Sequence, residues 1–182
     1  MEQREEIIRI FSKDIRSILK QAEVDFGQVQ EVRLRIQSPL LIICSNQEYY
    51  LTTEGKKTEA TAENRKRAYE VTRADLKETL EYVSSYSLYA FEEELRQGYL
   101  TIQGGHRVGV AGKTIVEGKG IRGMKFISCM NVRLSHQIRG CADLVMPCIY
   151  RDGQLENVLI VSPPRCGKTT LLRDLIRQVS DG

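Results

Sequence analysis

The chain has no tryptophan, four prolines and two histidines in 182 residues. It has no apolar run approaching the ~18 residues that cross a bilayer, so a helical membrane span is excluded. The two histidines, His106 and His136, share no metal-like spacing with the cysteines, and no C-x-x-C occurs, which excludes a zinc module. Five cysteines (Cys44, Cys129, Cys141, Cys148 and Cys166) are scattered and odd in number, so a disulfide framework is excluded and free thiols in a reducing compartment are expected. The charged start, Met1-Glu-Gln-Arg-Glu-Glu, lacks an apolar signal core, so export is not expected. The charge imbalance is small, a net +3. The basic stretch 64–67 and the arginine-bearing strands come without an RNA-binding signature or an aromatic platform, and nucleic acid is not expected as a partner.

What is present is 41% hydrophobic and 28% charged residues, a globular balance for one ordinary domain plus a fragment, or two small ones. The most informative segment is Ser162-Pro163-Pro164-Arg165-Cys166-Gly167-Lys168-Thr169-Thr170. It lies between a β-forming run, 158–161, and a helix expected over 168–180, with Leu171, Leu172, Leu175, Ile176 and Val179 on one stripe. That is the context of a phosphate-binding loop. All nine residues 162–170 are therefore candidates for binding ATP. Loop amides and the helix N-terminus would cradle phosphates, Lys168 would reach the β- and γ-phosphates, and the Thr169 hydroxyl would reach Mg²⁺ through the nucleotide. Ser162 replaces the usual first glycine. Arg165 stands inside the loop, and two readings of it stay open: a cost of roughly 1 kcal/mol if its φ must be positive, or an added phosphate ligand. Cys166 is the one thiol that nucleotide would shield.

Upstream, residues 4–22 place Ile7, Ile8, Phe11, Ile15, Ile18 and Leu19 on one amphipathic helix, packed on its own sheet or facing a partner or membrane. A strand is expected over 29–36, with Val32, Leu34 and Ile36 inward and Arg33 and Arg35 opposite. Strands 40–44 and 48–51 follow around Ser45-Asn46. Residues 52–67 have no large apolar side chain and read as a solvated loop. Thr72, with Asp75, caps a helix over 73–83, and a second helix, 86–97, ends at Gly98. Strands 99–103, 107–116 and 126–134 come next, with Gly118, Gly120 and Gly123 as turns between the last two. A short helix over 140–146 ends at Pro147. His106 reads as a polar turn residue or an acid–base group. Arg107, Arg133 and Arg139 read as solvated cations or as groups that stabilise a γ-phosphate. The resulting fold class is an α+β N-terminal domain, 1–136 (1–52 helix plus strands, 53–67 loop, 68–136 helices plus strands). It is followed over 137–182 by the start of an α/β P-loop core, RecA-like or AAA-type, truncated after the P-loop helix.

Several segments jointly resemble the stage III sporulation protein AA family of endospore-forming bacteria. They are Glu31-Val-Arg-Leu-Arg35, Ser87-Leu-Tyr-Ala-Phe-Glu-Glu-Glu-Leu-Arg-Gln-Gly98, Gly104-Gly-His-Arg-Val-Gly109, Asn131-Val-Arg133, Ser162-Pro-Pro, and Lys168-Thr-Thr-Leu-Leu-Arg-Asp174. Ser162 looks like the family's own form, whereas Arg165 stands where the family usually has glycine. The resemblance implies a protein similar to the ATPases of type II and type IV secretion systems, an α+β domain before a RecA-like core in a hexameric ring. It implies an ATPase of the mother-cell cytoplasm, docked peripherally on the membrane complex of a channel at the forespore membrane. By position, Lys168 and Thr169 would hold phosphate and Mg²⁺, and Arg107 and Arg133 are the catalytic candidates, contacting nucleotide between domains. The family's acidic catalytic residues would follow Gly182. The complete protein is expected to convert ATP to ADP and phosphate, and this chain alone is not. The alternative is a non-hydrolysing assembly module whose N-terminal domain docks on a membrane partner.

Overall fold

The computed structural model describes residues 2–84, 92–118, 120–136, 138–163 and 166–181. By backbone contacts it divides into two units, 1–135 and 136–182.

The apolar stripe of residues 4–22 forms two helices, not the single one expected: α1, Glu2–Arg9, and α2, Lys13–Gln21. Ser12 makes the break. Its backbone is extended and its Oγ accepts the Ile15 N–H, so it caps α2 instead of continuing α1. The stripe is nevertheless buried throughout, from Ile7 to Leu19. The chain then folds into a meander of β1 (Val29–Arg35), β2 (Leu41–Cys44) and β3 (Gln47–Leu51). Ser45 and Asn46 join the last two, both at positive φ (50° and 64°), as a tight primed turn requires.

The solvated loop expected over 52–67 instead contributes an edge strand, β4 (Lys57–Glu59), paired with β3, and a 3₁₀ turn, Asn64–Arg67. Pairing uses the backbone and needs no apolar side chain, and charged residues are what an edge tolerates. The turn into β4 passes so close to α2 that a Cβ on Gly55 would lie 2.8 Å from the Ala22 nitrogen. Helix α3, Arg73–Val83, has the expected reciprocal cap between Thr72 and Asp75. Of the helix expected over 86–97, residues 86–91 lie outside the described part, and Glu92–Gln97 forms α4. Gly98, at φ 84°, ends it.

The remaining strands are β5 (Tyr99–Thr101), β6 (Arg107–Glu117) and β7 (Gly120–Arg133). β5 is shorter than expected because Gln103–Gly105 turns as a 3₁₀ segment. β7 starts at Gly120, not 126, so Gly120 and Gly123 lie within the strand and are not turns. A bulge interrupts this long hairpin where residues 126–128 of β7 face the single Gly112 of β6. A Cβ on Gly112 would come within 2.8 Å of the Ile127 Cα, and Phe126 adopts φ 50°. For an aromatic residue that backbone costs on the order of 1–2 kcal/mol.

All seven strands join one antiparallel sheet in the order β4-β3-β2-β1-β7-β6-β5. Val32, Leu34, Val108, Met130 and Val132 point to one face and bury themselves with α1, α2 and α3. At the alternating positions Arg33, Arg107, Asn131 and Arg133 share the opposite face.

In the second unit the expected helix over 140–146 is a series of turns followed by a 3₁₀ segment, Met146–Ile149. Gly140 sits at φ 80°, which no helix accepts. Pro147 does not end a helix; it occupies the first turn of the 3₁₀ segment, where its missing N–H costs nothing. A small hairpin, β8 (Tyr150–Arg151) and β9 (Gln154–Leu155), closes on Asp152-Gly153. The unit ends in α5, Lys168–Asp181. Its core is small: Ala142, Ile149 and Leu175, flanked by Val145, Met146, Ile160, Leu171 and Val179.

Asp75 holds the helical layer together. It accepts from Ser12 Oγ (2.6 Å), Tyr69 Oη (2.9 Å), Thr72 N (2.9 Å) and Thr72 Oγ1 (2.7 Å). Asp75→Ala strands four donors, and urea unfolding is expected to show a loss of about 2–3 kcal/mol. Thr72→Ala removes only the cap and is expected to cost about 1 kcal/mol. Equal losses from the two variants would contradict this network.

Candidate functional site

The phosphate-loop candidate is built at the start of α5. Gly167 adopts φ 79°, and no atom lies within 4 Å of where its Cβ would be. Glycine is therefore required there by the backbone's handedness and not by space. The Leu171 amide closes the first turn onto the Gly167 carbonyl at 2.9 Å. Lys168 folds back across the loop, its Nζ donating to the carbonyls of Ser162 (2.9 Å) and Pro163 (2.8 Å) and to Ser162 Oγ at 3.5 Å. Ser162 thus supplies a hydroxyl that the usual glycine could not. Thr169 and Cys166 are exposed, and Thr170 is half-buried with its carbonyl 3.7 Å from the Cys141 sulfur. Pro164 and Arg165 lie outside the described residues, so both readings of Arg165 stand as they were.

This arrangement suits a polyphosphate: one ammonium held by neutral carbonyls, beside the positive end of a 14-residue helix. It offers a metal less. Among the described residues no group of three His, Cys, Asp or Glu is placed to hold one. The exposed Thr169 hydroxyl fits a Mg²⁺ held chiefly by phosphate and water.

The strand expected over 158–161 does not form. Leu159 is 86% exposed, and among the described residues no strand pairs with this run. An apolar β-forming run becomes a strand only when a neighbour takes up its amides and carbonyls, and none does so here. Ile160 alone turns onto the small core.

Asp174 is a residue that the sequence reasoning passed over. It is buried on α5, where Oδ2 accepts from the Ala142 amide (3.0 Å) and Oδ1 from Arg177 (2.8 Å). Gln178 adds a bond at 3.1 Å. The Ala142 amide first, and Arg177 and Gln178 after it, push the carboxyl down to about 2. It pins the 140–149 turns to α5. The signal in the sequence was the i, i+3, i+4 spacing of Asp174, Arg177 and Gln178.

Arg107 and Arg133 lie in the first unit as direct neighbours across β6 and β7, and Glu31 of β1 is next in the same row. Glu31 is 7% exposed and serves two cations: Arg33 Nε at 2.6 Å and Arg133 Nε at 3.2 Å. Arg33 also reaches Glu48 at 2.7 Å, and its bond to Glu31 leads the causes that raise its pKa. Tyr99, Arg107, Gly109, Asn131 and Arg133 line a cleft of about 310 Å³, where the absent side chain of Gly109 leaves room between cations. Arg139 belongs to the second unit, beside His136, Thr170 and Arg173. His106 closes the turn between β5 and β6, its carbonyl accepting the Ile102 amide at 3.0 Å, but it is not open to solvent. It is buried, its Nδ1 accepts the Ser135 amide at 2.9 Å, and its Nε2 lies 2.7 Å from where a Cβ on Gly104 would sit.

A family model described as "Sporulation stage III, protein AA" matches residues 1–182. "Stage III sporulation protein AA" of Bacillus subtilis (strain 168) is 39% identical over 178 residues, which is 97% of this chain and 52% of that protein. The chain therefore spans about half the length of the curated relative it matches. Among solved structures, the Legionella pneumophila ATPase DotB aligns at TM-score 0.44 and 11% identity, over 91% of this chain and 41% of that one.

The Asp174 clamp sets a pH dependence. Its carboxyl titrates at about 2 in the fold, below the ordinary ~3.9 of an unfolded chain. Its stabilisation is therefore complete above about pH 4 and is lost as pH falls through about 2. Carbon NMR of the Asp174 carboxyl is expected to give a midpoint near 2. A midpoint at the ordinary value would mean that the Ala142 and Arg177 bonds do not hold in solution.

Proposed function

Since the chain belongs to the sporulation stage III protein AA family, we propose that it is the ATP-binding portion of a subunit of a sporulation-specific, secretion-like complex. The whole subunit hydrolyses ATP to energise or assemble the channel between mother cell and forespore. The observation that supports this most is the Lys168 ammonium, poised on two carbonyls at the N-terminus of α5. Phosphate oxygens can replace those carbonyls and gain a charge-assisted bond in the exchange.

In this reading the loop amides around Gly167 orient the polyphosphate, Lys168 holds its outer phosphates, and Thr169 contributes a hydroxyl to Mg²⁺. The bound Mg²⁺ supplies charge neutralisation at the phosphates. Arg107 and Arg133 are the candidate catalytic cations. Turnover is a property of the longer protein, of which this chain matches about half. The subunit works as a hexameric ring in the mother-cell cytoplasm, docked peripherally on its membrane complex. No helix among the described residues is long and apolar enough to cross a membrane, which is compatible with peripheral docking.

Titration of residues 1–182 with a fluorescent ATP analogue and Mg²⁺ is expected to show saturable binding. Lys168→Ala is expected to weaken it at least tenfold, roughly 1.4 kcal/mol. In a protein extended to the length of the relative, the same substitution abolishes turnover. Binding by neither form would favour a docking module that holds no nucleotide, and turnover untouched by Lys168→Ala would end the ATPase reading.

A further inference from the structure

The helix-bearing side of the first unit carries a feature that the nucleotide reading does not use. A groove of about 330 Å³ opens between α3, α4 and the bulged part of β7. Its floor is apolar: Leu76 and Leu80 from α3, Leu95 from α4, and Met124 and Ile127 from β7. Four of these five are only partly buried, so the hydrophobic core reaches the surface here uncovered among the described residues. One lip is cationic, with Arg73 and Lys77 a helical turn apart on α3. No carboxylate is among the described residues that line it, and Lys77 lies 3.9 Å from Glu81, a half-buried neighbour one turn along α3. On the opposite lip stands Phe126, 73% exposed at φ 50°.

Phe126 is the informative residue. An aromatic ring in water adds nothing to the core, and its left-handed backbone is strained. A glycine at this position would relieve that strain, and the ring would not be missed by the fold. A strained residue whose ring the core does not use points to a use outside the folded chain. The recessed floor admits an inserted side chain, which a flat bilayer surface does not supply. The cationic lip selects for negative charge on whatever enters.

We propose that this groove docks an amphipathic segment of a partner protein, one that inserts a large apolar anchor beside Phe126 and sets Asp or Glu against Arg73 and Lys77. This does not rest on the nucleotide reading, and either can fail alone.

The test uses the full chain and three fluorescein-labelled, 14-residue helical peptides. All carry the same leucine stripe, and their polar faces are glutamate, glutamine or lysine. Fluorescence anisotropy is expected to show the glutamate peptide binding at least fivefold tighter than the glutamine peptide, with no binding of the lysine peptide. Methyl NMR should place the shifts at Leu76, Leu80, Leu95 and Met124. Phe126→Gly is expected to keep or raise the melting temperature while weakening the glutamate peptide at least tenfold. Lys77→Glu, which leaves Arg73 facing a carboxylate, should abolish the charge preference. Three equal affinities, no binding of the glutamate peptide, or shifts elsewhere on the chain would overturn the proposal. So would a Phe126→Gly protein that is clearly less stable, since the ring would then be structural. Binding to phosphatidylglycerol vesicles through the same residues, without binding to the glutamate peptide, would assign the groove to a membrane and refute a protein partner.

Discussion

The antiparallel pairing of β1 with β7 is the contact on which the first unit depends. It joins Glu31–Arg35 to Cys129–Arg133, roughly a hundred residues along the chain. Without it there are two separate sheets, the β1–β4 meander and the long hairpin with β5, and each would leave an edge and a half-covered apolar face. The closure entropy of so long a loop grows only logarithmically with length. It is offset at once, because Val32 meets Val132 and Leu34 meets Met130 under the helices, all of them fully or nearly fully buried. The same register places Glu31 beside Arg133 on the other face. A nearly buried carboxylate is costly unless it is paired, and a one-residue slip would exchange Glu31 for Val32 in the core.

The helical layer answers to one carboxylate as the sheet answers to one register. Asp75 lies 63 residues from Ser12 in sequence, yet it accepts the hydroxyl of the residue that breaks α1 from α2. The Ser12 amide donates to Thr79, one turn further along α3. The division of α1 from α2 and the start of α3 are therefore one structural decision. Tyr69 reports the same environment: burial first, and then Asp75, hold its phenol well above the usual range.

These two cases explain what could and could not be read in advance. The Thr72–Asp75 cap was legible because both partners lie within one helical turn. So were Val32 and Leu34, by alternation, and Gly98, by its place after an amphipathic run. The break at Ser12 was not legible, since the groups that favour it, Asp75 and Thr79, arrive from far along the chain. β4 escaped because backbone pairing leaves no trace in hydrophobicity. The 107–133 hairpin looked shorter than it is because its glycines read as turns, whereas Gly112 is there to let the bulge close over it. In the second unit the helix from Lys168 was legible from the helical spacing of Leu171, Leu175 and Val179. The strand expected before it needed a neighbour that no local pattern could report. The burial of His106 was not legible for the reason that applies to Ser12: its partner, the Ser135 amide, is 29 residues away.

The cations of the two units are held in ways that differ in consequence. Lys168 is bound by neutral carbonyls, so leaving them for a phosphate exposes no charge. Arg33 grips Glu31 and Glu48 together, both within 2.7 Å, and its departure would strip a nearly buried carboxylate of its shorter bond. Arg133 is different. Its side chain is 72% exposed, and Glu31 keeps Arg33 when Arg133 moves away. An ion pair as exposed as this is worth at most about 1 kcal/mol, less than a charge-assisted bond to an anion returns. Arg133 is thus retained near Arg107 without being committed to Glu31. Glu31 and Arg33 form the fixed part of the row, and Arg107 and Arg133 form the part that can turn to an anion. Both are needed, because three cations packed on a bare sheet face would repel one another, whereas the nearly buried carboxylate of Glu31 pairs two of them, Arg33 and Arg133, with Arg107 beside them.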